Sequence, residues 1–406
     1  MSKISNLRIL FALLIASYLS GACTKIDTQP GVVINTGEES LSVINQTITA
    51  TSGSLLGYDV DMDNTYAIAG DPFHNDLFAL HRGKAIIYSR TASGTTWTER
   101  ATIKNPVGKY NDNFGIHVTI RGNYAASCTN DSIYVFKRIL GDNWVQQAAL
   151  YPKNLSADSL SVSDIDIYGD FLIVGHGSRK VNGKIHSGCV YFFKKTNDKW
   201  AYHSTEFSPN NSAYDRFGCS VSIYGNFAVI GSRGDLDGNH GGKAYAYINF
   251  LNNWNMQKDL TAPDVQYMDN YGGSVELRGD YAIIGASQVS KSETSPGDNE
   301  TGSAYIFKRS GADWTQQAKI VSSDFQPHGY FGASVQINDN YALVGGDFTH
   351  DGAIYTFSRS GTNWNFLRKD MSSVSSANNF GHHLAMDSTR HYLAADYGFI
   401  SFGTHY

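Results

Sequence analysis

The sequence predicts an all-β protein: a seven-bladed β-propeller of four-stranded blades, closed by an N-terminal strand. Three observations carry that prediction. All six Trp residues, at 97, 144, 200, 254, 314 and 364, recur at spacings of 47, 56, 54, 60 and 50. One alternating pattern opens each repeat: LGYDVDMDNTYAIAG, FGIHVTIRGNYAASC, SVSDIDIYGDFLIVG, FGCSVSIYGNFAVIG, YGGSVELRGDYAIIG, FGASVQINDNYALVG and FGHHLAMDSTRHYLAAD. From about residue 41 to 406 the chain accommodates seven units of about 52 residues, within the four to eight blades usual for propellers.

Each unit reads as four short strands. The first is the alternating segment, for example Ser220 to Tyr224, and a Gly-Asn or Gly-Asp turn leads to the second, the apolar run Phe227 to Ile230. Gly175, Gly231, Gly285 and Gly345 close the second strand. The third alternates and bears an aromatic ring at Tyr88, Phe136, Phe193, Tyr247, Phe307, Phe357 or Phe402. A short turn such as SGADW or SGTNW then starts the fourth strand at the Trp. A small sheet that is apolar on both faces cannot stand alone and must be sandwiched between copies of itself. The seventh unit ends at Tyr406 without a fourth strand, and residues 42–51, SVINQTITAT, resemble the WTQQAKIV segment. That stretch is expected to supply the missing strand and remove the open sheet edges.

Composition excludes other classes. With 41% hydrophobic and 17% charged residues the chain is too apolar for disorder, and its 40 Gly lack the collagen period. Residues 1–22 read as a targeting signal, in which Lys3 and Arg8 precede an apolar run from Ile9 to Leu19 that is too short for a membrane span. Small residues then lead into Cys23. The arrangement resembles a bacterial lipoprotein signal, which implies lipidation of Cys23 and attachment to the cell envelope, at the outer membrane; such signals favour Leu where this chain has Ser20. Residues 23–40 read as a polar tether. Without residues 1–22, 30 Lys and Arg stand against 37 Asp and Glu, a net charge of −7 that disfavours nucleic acid. Cys128, Cys189 and Cys219 are too few and too scattered for a disulfide framework and read as buried thiols.

The starts FG-x-S-V and the strand-two ends VIG-S, IIG-A and LVG-G are similar to the FG-GAP repeat, the unit of integrin-alpha-type propellers and of many bacterial surface lipoproteins. The resemblance implies a Phe packed between blades and a Gly that permits close backbone approach. These roles fall to Phe114/Gly115, Phe217/Gly218, Phe331/Gly332 and Phe380/Gly381, with Tyr271/Gly272 and Leu56/Gly57 as variants. Ser161/Val162 depart from the pattern, which implies a displaced start for the third blade.

The chemistry-bearing residues are few. Asp235, Asp237 and Asn239, with Gly238, come nearest to the calcium loops of integrin-type repeats, but a seven-oxygen cage needs more acids. A turn capping its own backbone is the expectation, with no cofactor and with Ca2+ as the alternative. The residue before the apolar position of each first strand is Asp59, His117, Asp164, Ser220, Ser274, Ser334 and His383 in turn. Asp59, His117, Asp164 and His383 would converge near the axis, as hydrated His/Asp pairs or, alternatively, as a metal or proton-transfer cluster. His382 and His383, being adjacent, should point to opposite faces of a strand. No G-x-S-x-G or H-E-x-x-H motif is present.

Loop length is the better guide to function. Turns on one face of the disk are short, whereas second-to-third-strand loops and blade connections on the other vary widely, and binding residues concentrate on such loops. The candidates there are Phe73, His74, Phe78, His81, Arg82, Tyr110, Tyr151, Arg179, His186, Tyr214, Arg216, His240, Tyr267, Phe325 and His328. About half of these are expected to be loop anchors rather than ligand contacts. The sequence thus reads as a lipid-anchored, non-catalytic binding propeller for a protein or glycan of the envelope. The alternatives are a carbohydrate-active enzyme, or its substrate-binding accessory, and a structural component of an envelope complex. Clustered acids of raised pKa in a central pocket would favour the enzyme.

Overall fold

In each repeat the chain runs outward from a central axis through successive antiparallel strands, four in blades one to six and three in blade seven, because every strand of the period-2 pattern pairs with the next. The computed structural model describes residues 32–34, 44–50, 53–75, 80–90, 96–152, 160–234, 241–267, 269–287, 302–322, 329–346, 351–372, 374 and 379–404. The inner strands of blades one to seven are Val60–Met62, Val118–Arg121, Asp164–Tyr168, Phe217–Tyr224, Tyr271–Arg278, Ser334–Ile337 and His383–Met386. Outer strands begin at or one residue before the repeating Trp, from Trp97–Ile103 in blade one to Asn363–Met371 in blade six. In addition, the short strand Val32–Ile34 borders the outer strand of blade five, Asp313–Val321.

The expected closure is present. Ile44–Thr49 is the outer strand of blade seven and pairs antiparallel with Phe399–Thr404, with Gln46 opposite Phe402 and Ile48 opposite Ile400. Trp97 of blade one stacks on Phe402 at 4.8 Å, and the Gln46 side chain exchanges hydrogen bonds with the Trp97 backbone at 2.9 and 2.7 Å.

The core is a ring of layers between blades. Each layer mixes strands of one blade with those of the next, for example Ile283 and Ile306 from the second and third strands of blade five with Val335 and Val344 from the first and second strands of blade six. Val60 and Met62 share a layer with Leu393 and Phe402, so the first blade packs against the last. Trp rings seal the rim by packing on the preceding blade: Trp254 stacks on Phe192 at 4.3 Å, and Trp144 and Trp364 meet Tyr66 and Tyr281 edge-on. The indole N–H of Trp200, Trp314 and Trp364 donates to Gln147, Gln257 and Gln317 of the blade before. Such aromatic pairs contribute about 0.5–1.5 kcal/mol each beyond area burial.

The Phe-Gly starts lie where the resemblance implied. Phe114, Phe217, Tyr271, Phe331, Phe380 and Leu56 are buried in successive interblade layers. The strand-two Gly of one blade faces the Phe-Gly glycine of the next: a Cβ at Gly70, Gly175, Gly231 or Gly285 would meet the carbonyl of Gly115, Gly218, Gly272 or Gly332 at 2.0 Å. Between blades two and three both partners are absent. Cys128 occupies the strand-two position and Val162 the other, and Leu160, one residue early, fills the aromatic site. Cys128 and Cys189 are buried, Cys219 is half-buried, and all three are free thiols.

Candidate functional site

The inner edge of every first strand faces the axis, where its backbone N–H groups have no neighbouring strand. In blades two, four and five, side chains of the preceding blade satisfy them. Asp59, Asp61 and Asp63 of blade one accept from Val118, Ile120 and Gly122 of blade two at 2.8, 2.7 and 2.6 Å. Asp164 and Asp166 do the same for Val221 and Ile223 at 2.7 and 2.8 Å, and the hydroxyls of Ser220 and Ser222 for Val275 and Leu277. The run of His, Asp, His, Asp now has a physical explanation. Asp59 and Asp164 each use one oxygen for their own strand, at Val60 and Ile165, and the other for the next blade. Their own blades therefore need no acceptor from the blade before, and those blades carry His383 and His117.

Those side chains line an axial cavity of about 640 Å³. Arg233 and Ser287 at its rim follow second strands, and Asn270, Tyr330 and Asn379 precede inner strands, so it opens on the long-loop face. Asp59 is central: its two oxygens lie 3.6 Å from His117 Nδ1 and 3.4 Å from His383 Nδ1. Burial works to raise the Asp59 carboxyl, but the two imidazoles outweigh it and hold it below the usual carboxylate range. Burial lowers and Asp59 raises His117, with a net rise. Burial pushes Asp164 up to about 7, against the pull of His117.

A second tier lies deeper. Thr119 donates to Asp61 and Asp166, and Ser222 bonds Asp166 and Glu276, while Arg121 and Arg278 sit 3.8 and 3.2 Å from Asp61 and Glu276. Burial raises Asp61 to about 6 and Glu276 to about 8, with the guanidiniums opposing. Sequence reasoning missed this tier, although the same-face spacing was visible as DVDMD and DIDIY. The four side chains expected at the axis all line the cavity, yet among the described residues no three His, Cys, Asp or Glu are placed to share a metal ion.

One expectation is corrected. His382 and His383 do not diverge: both line the cavity, with ring centroids 4.7 Å apart. His382 lies in the turn before the strand, where side-chain alternation does not apply. Burial, then the charge of His383, lowers His382 to about 4.

A shelf of rings adjoins that rim. Tyr58 stacks on His383 at 6.2 Å and packs against Phe73 and Tyr397 at 5.9 and 5.5 Å, and Phe73 meets His81 at 5.2 Å. Tyr397 reaches His382 at 5.4 Å. Of these rings, Phe73 and His81 were among the sequence candidates; Tyr58, His382 and Tyr397 were not.

The other candidates are dispersed. His74 lies 3.6 Å from Asp71, Arg82 packs against Gly108, and the Arg179 guanidinium sits over Tyr191 and bonds its hydroxyl. His186 and Tyr214 pack edge-on at 5.7 Å beside half-buried Arg216. Tyr110, Tyr151 and Tyr267 are exposed. Phe78, His240, Phe325 and His328, the loop Asp235, Asp237 and Asn239, and Cys23 lie outside the described residues. The blade connections are held by Asp112, Asp215 and Asp269, each two residues before the aromatic of a Phe-Gly or Tyr-Gly start and each accepting a nearby backbone N–H. That D-x-F-G signal was legible in the sequence.

Comparison with known proteins agrees with the fold. The FG-GAP repeat family matches residues 207–247, 254–307 and 314–357. No curated protein sequence matches the chain. Among solved structures it is similar to a candidate 6-phosphogluconolactonase from Bacteroides uniformis, at TM-score 0.53 and 10% identity over 78% of this chain and 86% of that one. It is also similar to Sqt1 from Saccharomyces cerevisiae, at 0.51 and 10% over 90% and 99%. A protein from Lactobacillus plantarum aligns at 0.53 and 11% over 81% and 88%. At such identities these likenesses concern fold alone. Seven interlocking blades and Phe-Gly starts in the interblade layers make the chain a seven-bladed β-propeller, and within residues 207–357 its repeats match the FG-GAP family.

Proposed function

We propose that the chain is a non-catalytic binding module of the bacterial envelope, anchored by lipid at Cys23, that takes its ligand at the axial mouth of the long-loop face. One observation carries this reading: a cavity of about 640 Å³, in the size range of small-ligand sites, opens beside a shelf of half-exposed rings. The test is a glycan array followed by a pull-down from envelope extract with the propeller. Retention of a glycan or a single envelope protein, lost when the mouth is altered, is the expected result. Retention that survives blockage of the mouth would refute it.

A second reading, acid–base hydrolysis in the same cavity, is favoured by one arrangement. Asp59 is held ionised while Asp164 in the same cavity keeps its proton to about pH 7, the pattern of an acid and base pair. Both carboxylates are already bonded to backbone N–H groups of the next blade, so the fold accounts for them without catalysis. Release of product from a retained glycan, abolished by Asp164→Asn, would establish the enzymatic reading instead.

A further inference from the structure

We infer that the axial mouth recognises a neutral saccharide, one sugar ring entering the cavity and a neighbouring unit lying on the Tyr58 shelf. This rests on the binding reading above and specifies its ligand. Charge decides the first point. Three acids of the cavity sit beside cationic groups, Asp61 beside Arg121, Glu276 beside Arg278 and Asp59 beside two imidazoles, while Asp164 and Asp166 are held by backbone N–H groups and serine hydroxyls. An anion would meet these carboxylates with, among the described lining residues, only Arg233 at the rim to offset them, and a cation would displace pairings that the fold already uses.

Hydrogen-bonding chemistry decides the second point. The wall alternates acceptors with groups that both donate and accept, among them Asp59, Ser274, Asn270 and Asn379. Hydroxyl groups, each one donor and two acceptors, suit so mixed a lining better than a purely accepting or purely donating ligand. His382, whose pKa burial lowers, meets such hydroxyls as neutral imidazole.

The shelf supplies the third point. Tyr58 is stacked on His383 and flanked by Phe73 edge-on and Tyr397 tilted, so its ring is held in place beside polar groups. The C–H face of a pyranose fits the face of such a ring, and rings already packed lose little freedom on binding.

The experiment uses the full chain and two sets of probes. The first comprises neutral oligomers of glucose, mannose, galactose and N-acetylglucosamine; the second comprises uronate, sialylated and phosphorylated sugars. Binding is measured by calorimetry beside a thermal melt of each variant. At least one neutral oligomer should bind, and Tyr58→Ala and His382→Ala should each weaken it about tenfold with the melt unchanged. Binding of acidic sugars alone, or neutral binding indifferent to both Tyr58→Ala and His382→Ala, overturns the inference. If no sugar binds but an envelope protein is retained through the mouth, the saccharide fails and the binding module stands. If neither is retained, both fail.

Discussion

Asp59, Asp61, Asp164 and Asp166 show how one side chain serves the fold and shapes a site. A carboxylate offers two oxygens, so each Asp can cap its own strand and the inner edge of the next blade. Glu276 differs: it is buried among Arg278, Arg121, Asp166, Asp61 and Ser222, and it keeps its proton to about pH 8 instead of 4.5. A folded state that holds a proton more tightly than the unfolded chain has its full stability below about pH 4.5. It loses that part as pH rises through about 8. Glu276→Gln keeps the shape without the charge, so the variant should be more stable than the parent at pH 8.5, by about 1–3 kcal/mol, and lose the advantage near pH 4.5. Urea unfolding at the two pH values checks this; an equal difference at both would show that the charge is not what destabilises.

Blades meet through glycine. Gly175 of blade three has an ordinary backbone conformation, so Ala there would carry no conformational strain of its own. Its Cβ would nevertheless fall 2.0 Å from the Gly218 carbonyl of blade four. Backbone on both sides cannot give way without parting the layer. Gly175→Ala should cost about 2–3 kcal/mol in chemical denaturation, as overpacking does. A loss under about 0.5 kcal/mol would mean that the blades slide apart cheaply. The boundary of blades two and three shows the tolerated solution: Cys128 and Val162 replace both members of the pair, and Leu160 supplies the apolar anchor. A single-sided change has no such compensation.

Closure belongs to the whole molecule. Ile44–Thr49 covers the edge of Phe399–Thr404, and the same residues bring blade seven against Trp97 of blade one. A chain beginning at residue 53 should lose about 3 kcal/mol or more and associate through the uncovered edge. Denaturation together with size-exclusion chromatography checks it; a monomer of unchanged stability would show that the ring holds without its closing strand.

Blade number, strand order, the closing segment and the Phe-Gly positions were legible because each follows from a local pattern repeated seven times. Period-2 alternation assigns faces, and the unpaired third strand at Phe402 called for a partner at the other end of the chain. The axial positions were legible too, since Asp59, His117, Asp164 and His383 hold the same place in successive repeats. What those four residues do was not, because the carboxylates that accept the edge N–H groups of blades two and four come from another blade 50 to 60 residues away. The shelf was hidden for a related reason. Tyr58, Phe73, His382 and Tyr397 come from both ends of the chain and from four different loops or turns, so no spacing in the sequence joins them. Repetition along the chain therefore determined the architecture, while the proximity that makes a cavity and a ring-lined rim was decided only when closure set blade seven beside blade one.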